Sequence, residues 1–299
     1  MEKRKLGRTD MNVSVLGFGG AEIGFEGATQ ETVTKLLDDA LDAGLNVIDT
    51  AECYPGSEEL IGQAVANRRK DFFLFTKCGH PVIYTDADWR PESLLMTIER
   101  SLRRLKTDCL DLVQLHSCTE DDLRKGDVIT ALQTARDKGW TRYIGYSGDN
   151  SAAKYAIECG AFDTLQTSIS ILDQSNIDVY MPLAAQKQIG VIVKRPIGNA
   201  VWRYKDQRPT LPYHQPYWDR MQKLKFDVLS GDPSLAAAIA LRFTLSVPGV
   251  HTAIVGTTKP GRWRENAAVL AAGPLPPEQY EAIRNHWRSN AAPDWVGLT

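Results

Sequence analysis

Short apolar runs alternate with stretches of helical periodicity along the whole chain. Residues 13–16 read as a strand that ends in a sharp turn at Gly17, Gly19 and Gly20. Over 30–43, Val33, Leu36, Leu37, Ala40 and Leu41 fall on one helical face, and Gly44 stops the helix. Residues 46–49 make a short buried strand, 57–67 a helix, and 72–76 an unbroken apolar strand reaching Lys77. The clearest amphipathic helix spans 91–105, with Leu94, Leu95, Ile98, Leu102 and Leu105 aligned. A strand over 110–115 ends at His116. Helix 128–138 follows, capped by Asp127 and closed by Gly139, then strand 142–146, helix 151–159 and strand 164–168. Helix 175–188 leads to strand 190–194. After a long insertion, Asp232 and Pro233 supply the N-cap and first residue of helix 234–246. Strand 252–255, helix 260–272 and an extra terminal helix over 277–290 complete the pattern.

Short apolar strands alternating with amphipathic helices predict a parallel sheet covered by helices. Eight such units in 299 residues suit a closed (β/α)8 barrel, a TIM barrel, as one domain over 1–299. The competing fold is an open doubly wound sheet. Its dinucleotide fingerprint needs a third glycine where this chain has Glu22, and no GxxxxGK[ST] phosphate loop is present.

Composition narrows the classes. At 43% hydrophobic and 24% charged, the chain has apolar surface enough for a sizeable core. A formal net charge of -2 gives no general attraction to nucleic acid or anionic membrane, so neither is expected as a partner. No run reaches the ~18 apolar residues of a membrane span. The opening segment is charged with no apolar stretch behind it, so no signal peptide is expected and the expected location is cytoplasmic. Cys53, Cys78, Cys109, Cys118 and Cys159 are odd in number, scattered, and form no CxxC pair. They read as free thiols, with neither a disulfide framework nor a metal site.

In such a barrel the residues ending the strands share one rim, and that rim carries the site. The second strand ends at Asp49 with Tyr54 in the next loop, the third at Lys77 and the fourth at His116. Ser147, then Gln166 and Ser168, then Lys194 and Arg195 follow, and the last strand runs into Gly256, Thr257, Thr258 and Lys259. Any one polar residue here could simply mark a strand emerging into water. Asp, Tyr, Lys and His in succession point to chemistry.

These residues resemble the aldo-keto reductase superfamily. The matching stretches are Asp49-Thr50-Ala51-Glu52-Cys53-Tyr54 with Gly56, Ser57 and Glu58; Phe75-Thr76-Lys77; 110–116; Ile144-Gly145-Tyr146-Ser147; and Ile254-Val255-Gly256-Thr257 leading to Glu265 and Asn266. The opening Arg4-Lys5-Leu6-Gly7-Arg8 through Gly19 resembles the family's N-terminal β-hairpin and first strand. The resemblance covers nearly the whole chain. It implies a catalytic tetrad of Asp49, Tyr54, Lys77 and His116 that reduces an aldehyde or ketone. Tyr54 would be the general acid, since a nearby ammonium makes a phenol a better proton donor. Lys77 would supply that charge, Asp49 would keep it protonated, and His116 would orient the carbonyl oxygen. Two other readings stay open: Tyr54 as a rim aromatic beside a structural Lys77–Asp49 pair, and Asp49 with His116 as metal ligands. The second lacks another histidine nearby, and Lys77 would repel a cation.

The resemblance also implies a nicotinamide dinucleotide across the barrel mouth. Ser147 and Gln166 would hold its carboxamide. The segment from Gly256 to Arg262 opens a helix whose backbone amides favour an anion, with Lys259 and Arg262 adding charge. By family position Thr257 and Arg262 lie near the adenosine 2′-phosphate, and Glu265 and Asn266 near the adenine. No carboxylate precedes Glu265 in this loop, so NADPH is expected over NADH. A basic helix start is equally at home on plain solvated surface. Three departures weaken individual contacts. Arg195 stands where many members have a stacking aromatic, Gly148 where asparagine is frequent, and Gly256 where some carry a phosphate-binding lysine.

The insertion between Gly198 and Gly231 carries Trp202, Tyr204, Tyr213, Tyr217 and Trp218, and its tail over 217–229 suits a short helix. Lining a pocket and packing down are equal expectations for it, and Trp89 and Trp295 are further pocket candidates. The expected partner is a small carbonyl compound. The alternative is an NADPH-binding regulatory barrel with little turnover; neither substrate identity nor oligomeric state is written in the sequence.

Overall fold

The computed structural model describes residues 1–81 and 87–298. Eight parallel strands close into a barrel: β3 (Leu16–Gly19), β4 (Val47–Asp49), β5 (Phe73–Cys78), β6 (Leu110–His116), β7 (Thr141–Ser147), β8 (Thr164–Ser168), β9 (Gly190–Lys194) and β10 (Thr252–Val255). β10 returns to pair with β3, Ala253 opposite Leu16. Ahead of the barrel, β1 (Lys3–Lys5) and β2 (Asn12–Ser14) form an antiparallel hairpin.

The barrel is sorted by height. Val47, Phe75, Leu112 and Ile192 cluster inside its lower end with Leu6, Met11 and Val13 of the hairpin, all fully buried. Side chains two apart in a strand share a face. One inward step up from these positions stand Asp49, Lys77, Gln114 and Lys194. The same four strands therefore seal the floor with hydrocarbon and furnish the mouth with polar groups.

The helices follow the periodicity read from the sequence. They include α2 (Gln30–Asp42), α3 (Ser57–Ala64), α4 (Pro91–Arg104), α7 (Asn150–Glu158) and α8 (Ile177–Gln186), with α1 (Ala21–Phe25) inserted after β3. Leu94, Ile98 and Leu102 of α4 are buried along one stripe, each contributing about 1.5–3 kcal/mol of hydrophobic burial. α10 (Pro233–Ser246) starts as expected, with Asp232 accepting from the amides of Ser234 and Leu235. α11 (Arg262–Ala271) and the extra α12 (Pro277–Asn290) close the chain. Among the described residues no helix is long and apolar enough to cross a membrane.

Three expectations need correction. Gly17 and Gly19 belong to β3 rather than to a turn, and a Cβ at Gly17 would press on Val47 and Ile254 of the neighbouring strands at 3.0–3.1 Å, whereas Gly20 does follow the strand, as the N-cap of α1. Asp127 is the first residue of α6 (Asp127–Asp137) and not its cap. Gly126, at φ 86°, ends the preceding α5 (Glu120–Lys125) and starts α6. In the insertion the helix is α9 (Gln215–Leu224), ended by Lys225 in the left-handed conformation.

Candidate active site

The site grows from the tops of β4, β5 and β6. Asp49 ends β4 and Lys77 lies near the end of β5, each about 1% exposed. The Lys77 ammonium donates to Oδ1 of Asp49 at 2.5 Å and to the carbonyl of Thr50 at 2.9 Å. Beyond Asp49 the chain turns sharply, with the amide of Tyr54 donating to the carbonyl of Ala51 at 3.1 Å. That turn brings the half-buried ring of Tyr54 over the ammonium, 5.3 Å from Lys77 Nζ to the ring centroid. His116 ends β6 and meets Tyr54 edge to face, ring centroids 5.9 Å apart. The four residues converge.

Two neighbours given no role of their own by the sequence, Glu52 and Cys53, border this arrangement. The buried carboxylate of Glu52 accepts from the amides of Gly79 and His80 at 2.6 and 2.9 Å, stitching the Tyr54 loop to the one after β5. Cys53 sets its sulfur 3.6 Å from Nδ1 of His116. Burial pushes the Cys53 thiol up to about 12, so it keeps its hydrogen. Burial, and after it the positive charge of Lys77, hold the His116 imidazole well below its usual 6.5. His116 is neutral at pH 7.

On the far side of the mouth, Ser147 donates to Oε1 of Gln166 at 3.3 Å, and Nε2 of Gln166 donates to Oδ2 of Asp49 at 2.8 Å. Gln114 adds a second amide to the same oxygen at 3.2 Å. Arg195, at φ 56°, is committed to protein partners: it donates to Ser168 at 3.1 Å, to the carbonyl of Leu298 and to the hydroxyl of Tyr213. Lys194 pairs with Asp149 at 3.0 Å, and burial, opposed by that carboxylate, brings its amine down to about 8.

The aromatics of the insertion divide between packing down and bracing a neighbour. Trp202 and Tyr217 are buried as packing, whereas exposed Tyr213 braces Arg195. Trp89 packs edge-on against His80, and Trp295 packs at a tilt against Trp287. Beyond Trp295, residues 296–298 also border the rim, which the sequence did not suggest. Asn150 exchanges two hydrogen bonds with the backbone of Gly297, at 2.9 and 3.0 Å. The amide of Leu298 donates to Asp173 at 2.8 Å, and its carbonyl accepts from Ser168 at 2.6 Å.

At the loop after β10, Arg262 is paired with Glu265 and the amide of Lys259 donates to the Thr257 hydroxyl at 3.1 Å. Nδ2 of Asn266 is buried with no hydrogen-bond partner among the described residues. Two carboxylates, one from α1 and one from the residue that ends it, also reach this loop. Thr258 donates to Glu26 at 2.6 Å, and the carboxylate of Glu22 lies against Gly256.

A closed parallel barrel with a lysine–carboxylate pair, a tyrosine and a histidine at its mouth defines a class. The sequence profile of the Aldo/keto reductase family matches residues 15–288, and the chain belongs to that family. It is 29% identical to the uncharacterized oxidoreductase YqkF of Bacillus subtilis (strain 168), over 97% of this chain and 98% of that protein. It is 27% identical to the NADH-specific methylglyoxal reductase of Escherichia coli (strain K12), over 90% of this chain and 94% of that protein. Among solved structures, the holo form of aldo-keto reductase AKR11C1 from Bacillus halodurans matches with a TM-score of 0.83 and 27% identity, covering 98% of this chain and 99% of that one.

Proposed function

We propose that this protein reduces an aldehyde or ketone to an alcohol, with Tyr54 as the proton donor. The observation that carries the reading is the Lys77 ammonium, enclosed against Asp49 and 5.3 Å from the Tyr54 ring. A fixed cation there stabilises the phenolate that forms as the proton leaves. Asp49 holds the ammonium charged and aimed, which a buried lysine requires. His116, neutral and with Nδ1 facing the Cys53 thiol, keeps its proton on Nε2 and offers it to the carbonyl oxygen.

A nicotinamide dinucleotide would supply the hydride. The residues present fit one. Ser147 and Gln166 offer neutral hydrogen-bonding groups beside the tetrad, and the start of α11 offers backbone amides and Lys259 to an anion. The buried Nδ2 of Asn266 suits an acceptor on the adenine. Arg195 borders the same rim, though its hydrogen bonds go to the insertion and to the 295–298 segment. Lys259 and Arg262 support NADPH. Glu22 and Glu26, beside the same loop, weigh toward NADH.

The test is turnover. Purified protein should oxidise NADPH or NADH in the presence of a reactive aldehyde such as 4-nitrobenzaldehyde, and Tyr54→Phe should abolish this while still binding the dinucleotide. A fully active Tyr54→Phe would remove Tyr54 from the mechanism. Tight dinucleotide binding with no turnover on any aldehyde, ketone or sugar would favour the regulatory alternative.

A further inference from the structure

The two oxygens of the Asp49 carboxylate are held differently. Oδ1 takes the Lys77 ammonium, while Oδ2 accepts two amide hydrogens, from Gln166 at 2.8 Å and from Gln114 at 3.2 Å. An ionised carboxylate this deeply enclosed persists only when charge and hydrogen-bond donors meet its lone pairs.

The two glutamines occupy different levels of the barrel. Gln166 stands in register with Ser147, which stands in register with His116 at the rim. Gln114 lies one inward step below His116 on β6, paired with Lys77 on one side and Gly145 on the other. Gly145 makes room for it, since a Cβ there would come within 3.1 Å of Cγ of Gln114 and overlap the Thr164 hydroxyl. Oε1 of Gln114 has no hydrogen-bond partner among the described residues. Its amide is thus oriented by one demand, to turn its nitrogen toward Asp49; the reverse orientation would set a carbonyl oxygen against a carboxylate.

On the reduction reading above, Gln166 has two claimants. Its amide already spans Ser147 and Asp49, and a nicotinamide carboxamide arriving at Ser147 competes for the same groups. Gln114 sits below the reach of that competition. We propose that Gln114 is a positioning residue for Asp49: it keeps the second carboxylate oxygen hydrogen-bonded while Gln166 engages the dinucleotide, so that the charged Asp49–Lys77 pair beside Tyr54 survives cofactor binding. Gln114 touches neither substrate nor cofactor.

The experiment compares wild type with Gln114→Met, which keeps the length without the donor, and Gln114→Glu, which keeps the shape and replaces the donor with an acceptor. Each is measured for kcat, dinucleotide Kd, the solvent deuterium isotope effect on kcat, and thermal midpoint. Gln114→Met should lose about tenfold or more in kcat with the dinucleotide Kd within about twofold of wild type. Its solvent isotope effect should rise, because delivery of the Tyr54 proton becomes slower. A residue that merely packs would lower the midpoint and leave the isotope effect alone. Folded Gln114→Met with wild-type kcat and isotope effect overturns the assignment. Should Gln114→Met fail to fold, Gln114→Glu decides by the same two readouts. A wild-type protein that binds the dinucleotide but turns over no carbonyl overturns the reduction reading and this assignment with it, a failure recognisable because no variant is needed to see it.

Discussion

Glu22 places its carboxylate where a side chain at Gly256 would have to begin. The glycine at the position where some family members carry a lysine therefore has a structural partner 234 positions away, brought near by the fold, which sets α1 against the loop after β10. Together with Glu26, bonded to Thr258 at 2.6 Å, it surrounds that loop with more carboxylate than its own sequence contains.

Restoring a cation here should need two changes. Gly256→Lys alone must displace the Glu22 carboxylate, the end of a flexible side chain, and would pair its ammonium with it, so cofactor preference should change little. Glu22→Ala with Gly256→Lys has room, and should improve binding of NADPH relative to NADH by about tenfold in a fluorescence titration. A stable single variant with the same altered preference would contradict the packing described.

Lys77→Met tests the cation. Activity should fall about a hundredfold or more while the dinucleotide still binds. Leaving the Asp49 carboxylate buried without its counterion should also cost about 3–5 kcal/mol of stability, read from urea unfolding at neutral pH. Retained turnover would show that the ammonium does not assist Tyr54.

His116 gives a pH signature. Its imidazole is held below 6.5 in the folded chain, by burial first and then by Lys77. As pH drops through about 6.5 the unfolded chain binds a proton that the folded chain refuses. Stability is accordingly full above that pH and declines below it, toward the folded value. Urea midpoints at pH 7.5 and 5.5 should fall further apart in wild type than in His116→Asn. Equal losses would mean that His116 is not the group resisting protonation.

The 295–298 segment offers a fourth measurement. The amides of Gly297 and Leu298 donate to Asn150 and Asp173, so both should exchange slowly with deuterium. Asn150→Ala should accelerate exchange at Gly297 by roughly tenfold or more. Asp173 is pushed up to about 6 by burial, against the pull of Arg220, so its proton uptake should loosen Leu298 as pH falls through that value. Exchange at Leu298 that follows only the intrinsic pH dependence would refute this coupling.

The barrel was legible because strands such as β5, β6 and β9 are short apolar runs and helices such as α2 and α4 carry a clean stripe. The shared rim position of Asp49, Lys77 and His116 was legible for a related reason: they interrupt apolar runs where a strand should end. What escaped depends on contacts made across the fold. Gln114 reads as a polar residue inside a strand until Asp49, 65 positions away, is seen beside it. Asn150 and Gly297 are 147 positions apart. The sharp turn expected at Gly17 and Gly19 failed because crowding between strands, not backbone reversal, is what requires glycine at position 17. α5 was missed because Leu123 is its one buried side chain, although the Thr119–Asp122 capping box was there to be read.

The hairpin packed beneath the strands makes the barrel a cup rather than a tube. With Leu6, Met11 and Val13 filling the floor, whatever reaches Lys77 must come and go by the same doorway. Occupancy then becomes a matter of order: of two molecules held one above the other, the deeper has to arrive first and leave last.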